Sequence, residues 1–264
     1  MPEFPKVLSK ELNYFFSALM FFTRIPCPSW AEHSEEILNK SRKYFPLIGW
    51  IVSFLSYFIY YLFSLIFSVQ ISIILSMIAS ILITGAFHED GFTDVCDAFG
   101  GGYGKENILK IMKDSRIGAY GVIGISLLLF LKYNLLLEIS NFGNTIFFIS
   151  LWNGHAGSRF IASTFVQTHE YVRDDDSSKS KPLANTKLSL YEMCYSFIFT
   201  FFPIFFFPSY IFLLILLIAY LSKVYLSNYF KKYIGGYTGD CLGATQQVSE
   251  VIIYLSILGI WKFL

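Results

Sequence analysis

Three aspartates, Asp90, Asp94 and Asp97, stand at i, i+4 and i+7 within the stretch His88 to Gly118. On a helix that spacing gathers the carboxylates on one face. Such a face repels itself unless a cation sits among the side chains, and hard divalent ions, magnesium above all, take oxygen ligands of this kind. Asp114 follows a glycine-rich link, Gly100–Gly102 and Gly104, and can fold back as a fourth ligand. Lys113, Ser115 and Arg116 surround it, and the two cations suit an anion, most simply a phosphate. A lone pair of acids one turn apart is more often a solvated cap. Three on one face, a fourth after a short loop and adjacent cations favour a metal. Metal and cations together point to phosphoryl or phosphodiester transfer, where a protein mainly positions groups and neutralises charge. For the base that chemistry needs, the candidates are Asp90 and His88.

Three further features bear on the site. Arg159 lies within an apolar run, and a guanidinium there faces a cavity or a partner; His155 is one turn earlier on the same face. Glu250 is likewise an acid inside an apolar run. The segment Gly235 to Gly243 is glycine-rich, contains Thr238 and Asp240, and can present backbone N–H groups to a phosphate or nucleotide. Most such loops are only turns.

The elements that position these groups are membrane helices. Of 264 residues, 55% are hydrophobic and only 15% charged, against about 25% charged in an ordinary soluble domain. The apolar runs are long enough for a polytopic membrane protein, an all-α helical bundle in a single domain spanning residues 1–264. Seven spans are expected, at about 44–67, 71–87, 117–138, 144–166, 190–207, 209–227 and 244–264. An interfacial helix at residues 11–26 precedes them, stopped by Pro26 and Pro28. Between the spans, residues 167–189 form a polar loop carrying Asp174–Asp176, and His33 and His169 read as solvated loop histidines. This arrangement puts the N-terminal region and the loops at 88–116, 167–189 and 228–243 on one side, with all the Lys and Arg except Lys132, Lys262 and Arg159. The positive-inside rule makes that side cytoplasmic. The N-terminus, interrupted by acids and a proline, is unlike a cleaved signal peptide. Four scattered cysteines suggest neither a zinc site nor a disulfide framework, and a net charge of +1 implies no bulk attraction to nucleic acid.

The motifs occur in a recognisable order. They are His88-Glu89-Asp90-Gly91 with Asp94 and Asp97, then Asp114-Ser115-Arg116 with Gly118 and Gly121, then Gly235-Gly236, Thr238-Gly239-Asp240 and Gly243. Together with Phe22-Thr23-Arg24, Pro26, Phe45-Pro46-Leu47-Ile48-Gly49 and Ser158-Arg159, they resemble the cobalamin synthase (adenosylcobinamide-GDP ribazoletransferase) family over nearly the whole chain. The resemblance implies an enzyme of the inner (cytoplasmic) membrane, with its site facing the cytoplasm. Such an enzyme joins adenosylcobinamide-GDP to α-ribazole or its 5′-phosphate, releases GMP and requires magnesium. It further implies Asp90, Asp94, Asp97 and Asp114 as metal ligands, with Asp90 or His88 as base. Lys113, Ser115, Arg116, Arg159, Thr238, Asp240, Glu250 and Arg24 then contact substrate. A homo-oligomer is compatible with all of this.

The acid pattern is also similar to that of the CDP-alcohol phosphotransferases. Asp94 and Asp97 resemble the first half of their motif, with Ala98 where glycine is usual. Gly118 stands where those enzymes carry a further aspartate, their assigned base. A CDP-alcohol phosphatidyltransferase of phospholipid synthesis is therefore the alternative reading, and the Thr238-Gly239-Asp240 loop is foreign to its pattern. A transporter using Asp90, Arg159 and Glu250 is a third reading, against which no internal repeat is visible.

Overall fold

The computed structural model describes residues 3–32, 34–172 and 186–264. Asp174–Asp176 and His33 lie outside them. Among the described residues the chain is helical, with one isolated bridge between Tyr171 and Tyr237. The helices are α1 (Glu3–Phe22), α2 (Glu35–Ser41), α3 (Phe45–Ser64), α4 (Val69–Thr84), α5 (Phe87–Gly101), α6 (Gly104–Ile111), α7 (Ala119–Ser140), α8 (Asn144–Thr168), α9 (Leu190–Phe201), α10 (Leu214–Ile234) and α11 (Gly239–Trp261).

Among the described residues, four stretches are long and apolar enough to cross a membrane: Glu35–Ser64, Ala119–Ser140, Tyr210–Ile234 and Gly239–Trp261. A fifth is reached if α4 and α5, bent by 89° at their junction, are one span. Seven were expected, and each difference has a physical reason. The helix α8 has 25 residues but carries its polar groups in the middle, where the fold buries them. It is a core helix, packed on both α3 and α11. The run at 190–206 breaks into a 3-10 turn at Pro203, and α4 has only 16 residues.

Glycines let these helices approach closely. A Cβ on Gly49 of α3 would lie 2.5 Å from the His155 carbonyl oxygen of α8. One on Gly91 of α5 would lie 3.0 Å from the Asp240 carbonyl oxygen of α11, and Gly243 faces the same crossing. Small residues at helix crossings serve this purpose in lipid, where van der Waals packing drives association. The junction of α4 and α5 is a two-residue elbow, Gly85 at φ 66° and Ala86 at φ 57°, both left-handed. Arg24 folds over it, its side chain against Gly85 and its N–H donating to the Ile83 carbonyl at 2.7 Å.

The polar segments meet at one end of the bundle. Tyr237 N–H donates to Glu170 O at 3.1 Å, and Val172 N–H to Tyr237 O at 3.0 Å. Arg42 Nη2 donates to Thr186 O, and Thr238 Oγ1 to Met112 Sδ at 3.1 Å. The expected gathering of loops on one side is therefore present. Lys132 is a correction: it is buried within α7, not placed near the opposite face.

Candidate functional site

The acid-bearing helix α5 follows the elbow directly, and its first turn holds His88, Glu89 and Asp90. Successive helical residues turn by about 100°, which puts Asp90, Asp94 and Asp97 on one side of α5 and His88 on the other. Asp90 is exposed, Asp94 and Asp97 half-buried. Asp97 is committed to α7. Its Oδ2 accepts the Gly118 N–H at 2.7 Å and its Oδ1 the Gly121 N–H at 2.8 Å, so it caps that helix across the bundle. Gly118 and Gly121 are glycine because a Cβ at either would collide with the Asp97 carboxylate. The carboxylate that the alternative family carries at position 118 would have no room here.

Asp114 and Arg116 pair with each other. The guanidinium reaches both carboxylate oxygens, with Nη2 to Oδ2 at 2.6 Å and Nε to Oδ1 at 3.0 Å. Those hydrogen bonds hold the Asp114 carboxyl at a pKa of about 2, below the usual range. Lys113 and Ser115 beside the pair are exposed. The four expected ligands are thus not assembled into a cage, and among the described residues no three His, Cys, Asp or Glu side chains come together to hold a metal. Magnesium is commonly bound by only one or two carboxylates, with substrate phosphates and water completing its shell. Asp90 and Asp94 stand one turn apart on the same side of α5.

The expectation for His88 changes. Its ring is 3% exposed, stacked on Phe45 at 5.8 Å between centroids and edge-on to Phe87 at 5.4 Å. It faces away from the aspartates, so it is not placed to take a proton there. Arg159 and Glu250 also change role. Both are buried inside the bundle. Glu250 accepts from Gln246 Nε2 at 2.9 Å and Tyr254 OH at 3.1 Å, and pairs with Lys132 Nζ at 3.2 Å. His155 Nδ1 lies 3.7 Å from it. Arg159 donates to the His155 carbonyl at 2.9 Å. Lys132 also donates to Gln247 Oε1 at 2.8 Å, and Gln247 Nε2 donates to Glu89 Oε1 at 2.9 Å. An ionic and amide network therefore runs from the middle of α8 and α11 to the first turn of α5. A buried charge in lipid must be paired, and this one is paired toward the acid-bearing helix.

Thr238 is buried as the N-cap of α11, its hydroxyl accepting from Cys241 N at 3.4 Å. It shapes the loop. Asp240 follows in the first turn, half-buried, its backbone against Gly91. Arg24 is exposed and walls a pocket of about 350 Å³ with Thr23, Thr84, Gly85 and Phe87. The residues that sequence reasoning missed are Lys132, Gln246, Gln247 and Glu89. The signal was a cation and an acid in two separate apolar runs, which the rule for intramembrane charges should have joined. Arg42 is also buried.

The cobalamin-5-phosphate synthase family (CobS) matches residues 14–258. A relative in Leptospira interrogans named adenosylcobinamide-GDP ribazoletransferase is 47% identical over 261 residues, 97% of this chain and 98% of its own length. Proteins of the same name in Shewanella frigidimarina and Shewanella piezotolerans are 42% and 44% identical, over 95% and 94% of this chain and 96% of each relative. No solved structure matches the chain. Near-complete coverage in both directions, and a family match running from the first helix into the last, make this chain a member of the cobalamin-5-phosphate synthase family.

Proposed function

We propose that the protein is an adenosylcobinamide-GDP ribazoletransferase. It joins the cobinamide phosphate of adenosylcobinamide-GDP to α-ribazole or its 5′-phosphate and releases GMP. The observation that carries this reading is the full-length membership of a family whose relatives bear that name. The aspartate face of α5, next to the Asp114–Arg116 pair, supplies groups suited to the reaction.

Asp90 and Asp94 would hold a magnesium ion, which would supply neutralisation of charge on the diphosphate. Asp90, exposed, accepts the proton of the attacking ribose 3′-hydroxyl. That oxygen forms a bond to the cobinamide-side phosphorus, the bond from that phosphorus to the bridging oxygen breaks, and GMP departs carrying the bridging oxygen. Arg116 and Lys113 bind phosphate oxygens, and Asp97 fixes the distance between α5 and α7. The site faces the cytoplasm of an inner-membrane protein, the side on which the basic segments gather.

Asp94→Asn is expected to lower turnover at least 100-fold while the protein still inserts and purifies. Chelation of divalent ions should abolish wild-type turnover, and added magnesium should restore it. Near-normal turnover by Asp94→Asn would remove the metal assignment. Release of CMP from a CDP-lipid, with no GMP from the cobinamide nucleotide, would replace the reading by phospholipid synthesis.

A further inference from the structure

Where α1 ends, the chain folds over the elbow between α4 and α5 and walls a cavity of about 350 Å³. Phe21, Arg24, Thr84 and Phe87 line it. Phe87 places it relative to the aspartates. Phe87 and Asp90 are both exposed, and their three-residue spacing sets them on neighbouring positions of one side of α5, about 5 Å apart along its axis. The cavity thus lies at the elbow end of the aspartate row, on the aspartates' own side of the helix. Arg24 is held there with its donors open. Its N–H donates to the Ile83 carbonyl at 2.7 Å. Its Nε occupies the notch of Gly85, where a Cβ would collide with it, and no described carboxylate pairs with its guanidinium. Thr84 Oγ1 donates to the Ser80 carbonyl at 3.1 Å, which leaves its lone pairs to an N–H donor. Phe21 and Phe87, edge-on to each other at 5.6 Å between centroids, form the aromatic part of the wall.

These groups together suit a nucleobase. The volume is at the small end of the range for small-ligand pockets, about 300–1,000 Å³; a flat base fits it and a corrin macrocycle does not. Aromatic side chains favour stacking of a base. A guanidinium fork matches two adjacent acceptors, and guanine presents O6 and N7 in that arrangement. Adenine puts an amino donor in the place of O6. The benzimidazole of α-ribazole has a lone acceptor nitrogen with no carbonyl beside it. A single ribose bridges the distance from a base at Phe87 to a phosphate at Asp90.

We propose that the elbow cavity is a guanine subsite, with Arg24 donating to O6 and N7 of the base and Phe21 and Phe87 packing against its ring. The recognition of guanine is a property of the cavity itself. In the ribazole-transfer reading, on which only the choice of ligand source rests, the subsite holds the half of the donor that departs as GMP. The cobinamide half then extends toward the Asp97 end of the row, beside the exposed Arg116.

Two measurements on the purified, detergent-solubilised protein in magnesium buffer decide this. In the first, equilibrium dialysis gives the Kd of GMP, IMP and AMP for wild type, Arg24→Gln and Arg24→Lys. Wild type should bind GMP and IMP, which share O6 and N7, about 10- to 100-fold more tightly than AMP, the worth of one bidentate pair. Both variants should bring GMP down to the level of AMP, because lysine keeps the charge and loses the fork. Equal affinities in wild type, IMP behaving as AMP, or a preference that survives in either variant overturns the subsite. So does an equal loss for GMP and AMP, which would put Arg24 on the phosphate they share. In the second, the KM for adenosylcobinamide-GDP should rise about 10- to 100-fold in Arg24→Gln with the KM for α-ribazole unchanged. A rise confined to the acceptor KM overturns the assignment and puts the ribazole base in the cavity. Wild-type protein that releases no GMP from adenosylcobinamide-GDP would overturn the ribazole-transfer reading, and the dialysis alone would then judge the cavity. If Arg24→Gln does not survive purification, Arg24→Lys carries both measurements.

Discussion

Individual carboxylates in this protein differ by what they already hold. Asp97 gives both oxygens to the N–H groups of Gly118 and Gly121. Asp97→Asn keeps one acceptor and loses the other together with the charge, an expected cost of about 1–2 kcal/mol, read as a lower unfolding midpoint in detergent. A variant as stable as wild type would show that the cap contributes nothing. Asp114 is the opposite case, an exposed acid stabilised as its anion by Arg116. Its folded pKa of about 2 lies below the ordinary value, so the pair forms fully above about pH 4 and is lost as pH falls toward 2. Arg116→Gln should return the Asp114 titration to about 4, followed by NMR of labelled aspartate; an unmoved midpoint would contradict the pairing. The identities of these acids were legible in the sequence, since spacing alone puts Asp90, Asp94 and Asp97 on one face. Their engagements were not. Nothing local in Asp97 announces that the partner helix begins with two N–H groups aimed at it. Nor does the neighbourhood of His88 in the chain reveal that α11 closes over its other side.

At the scale of elements, the helix crossings set the tolerances. Gly91→Val must push the side chain into the backbone of α11, where a Cβ alone lies 3.0 Å from the Asp240 carbonyl. Overpacking of this kind costs about 1–3 kcal/mol, and displacement of α5 should lower turnover together with the midpoint. Wild-type behaviour in both would mean that the crossing yields freely. Ala86 is the one described non-glycine residue at positive φ. A side chain there costs about 1–2 kcal/mol, so Ala86→Gly should hold or raise the midpoint, and Ala86→Val should lower it. Element positions were largely visible as apolar runs. Which of them are covered by protein was not, because hydropathy does not tell a lipid-facing helix from one buried in the bundle. In α8 the polar run Asn153 to Arg159 is covered by neighbouring helices and not by lipid.

For the whole molecule, the network through Lys132, Glu250, Gln246, Gln247 and Glu89 joins three helices by groups that lipid cannot solvate. Lys132→Met strands the Glu250 carboxylate and should destabilise by about 3–5 kcal/mol. Lys132→Met combined with Glu250→Gln should recover most of that loss, and a double mutant no better than the single would mean the two charges do not act as a pair. The same architecture gives the 89° elbow between α4 and α5 a geometric meaning. If α4 and α5 form the broken span and α4 enters the bilayer along its normal, α5 runs along the bilayer surface. Asp90, Asp94 and Asp97 then span about 10 Å along the helix at a single depth, in the plane of the interface. A large water-soluble nucleotide can lie down along that row without any part of it entering hydrocarbon. The membrane then acts as the bench on which two soluble molecules are brought to one level.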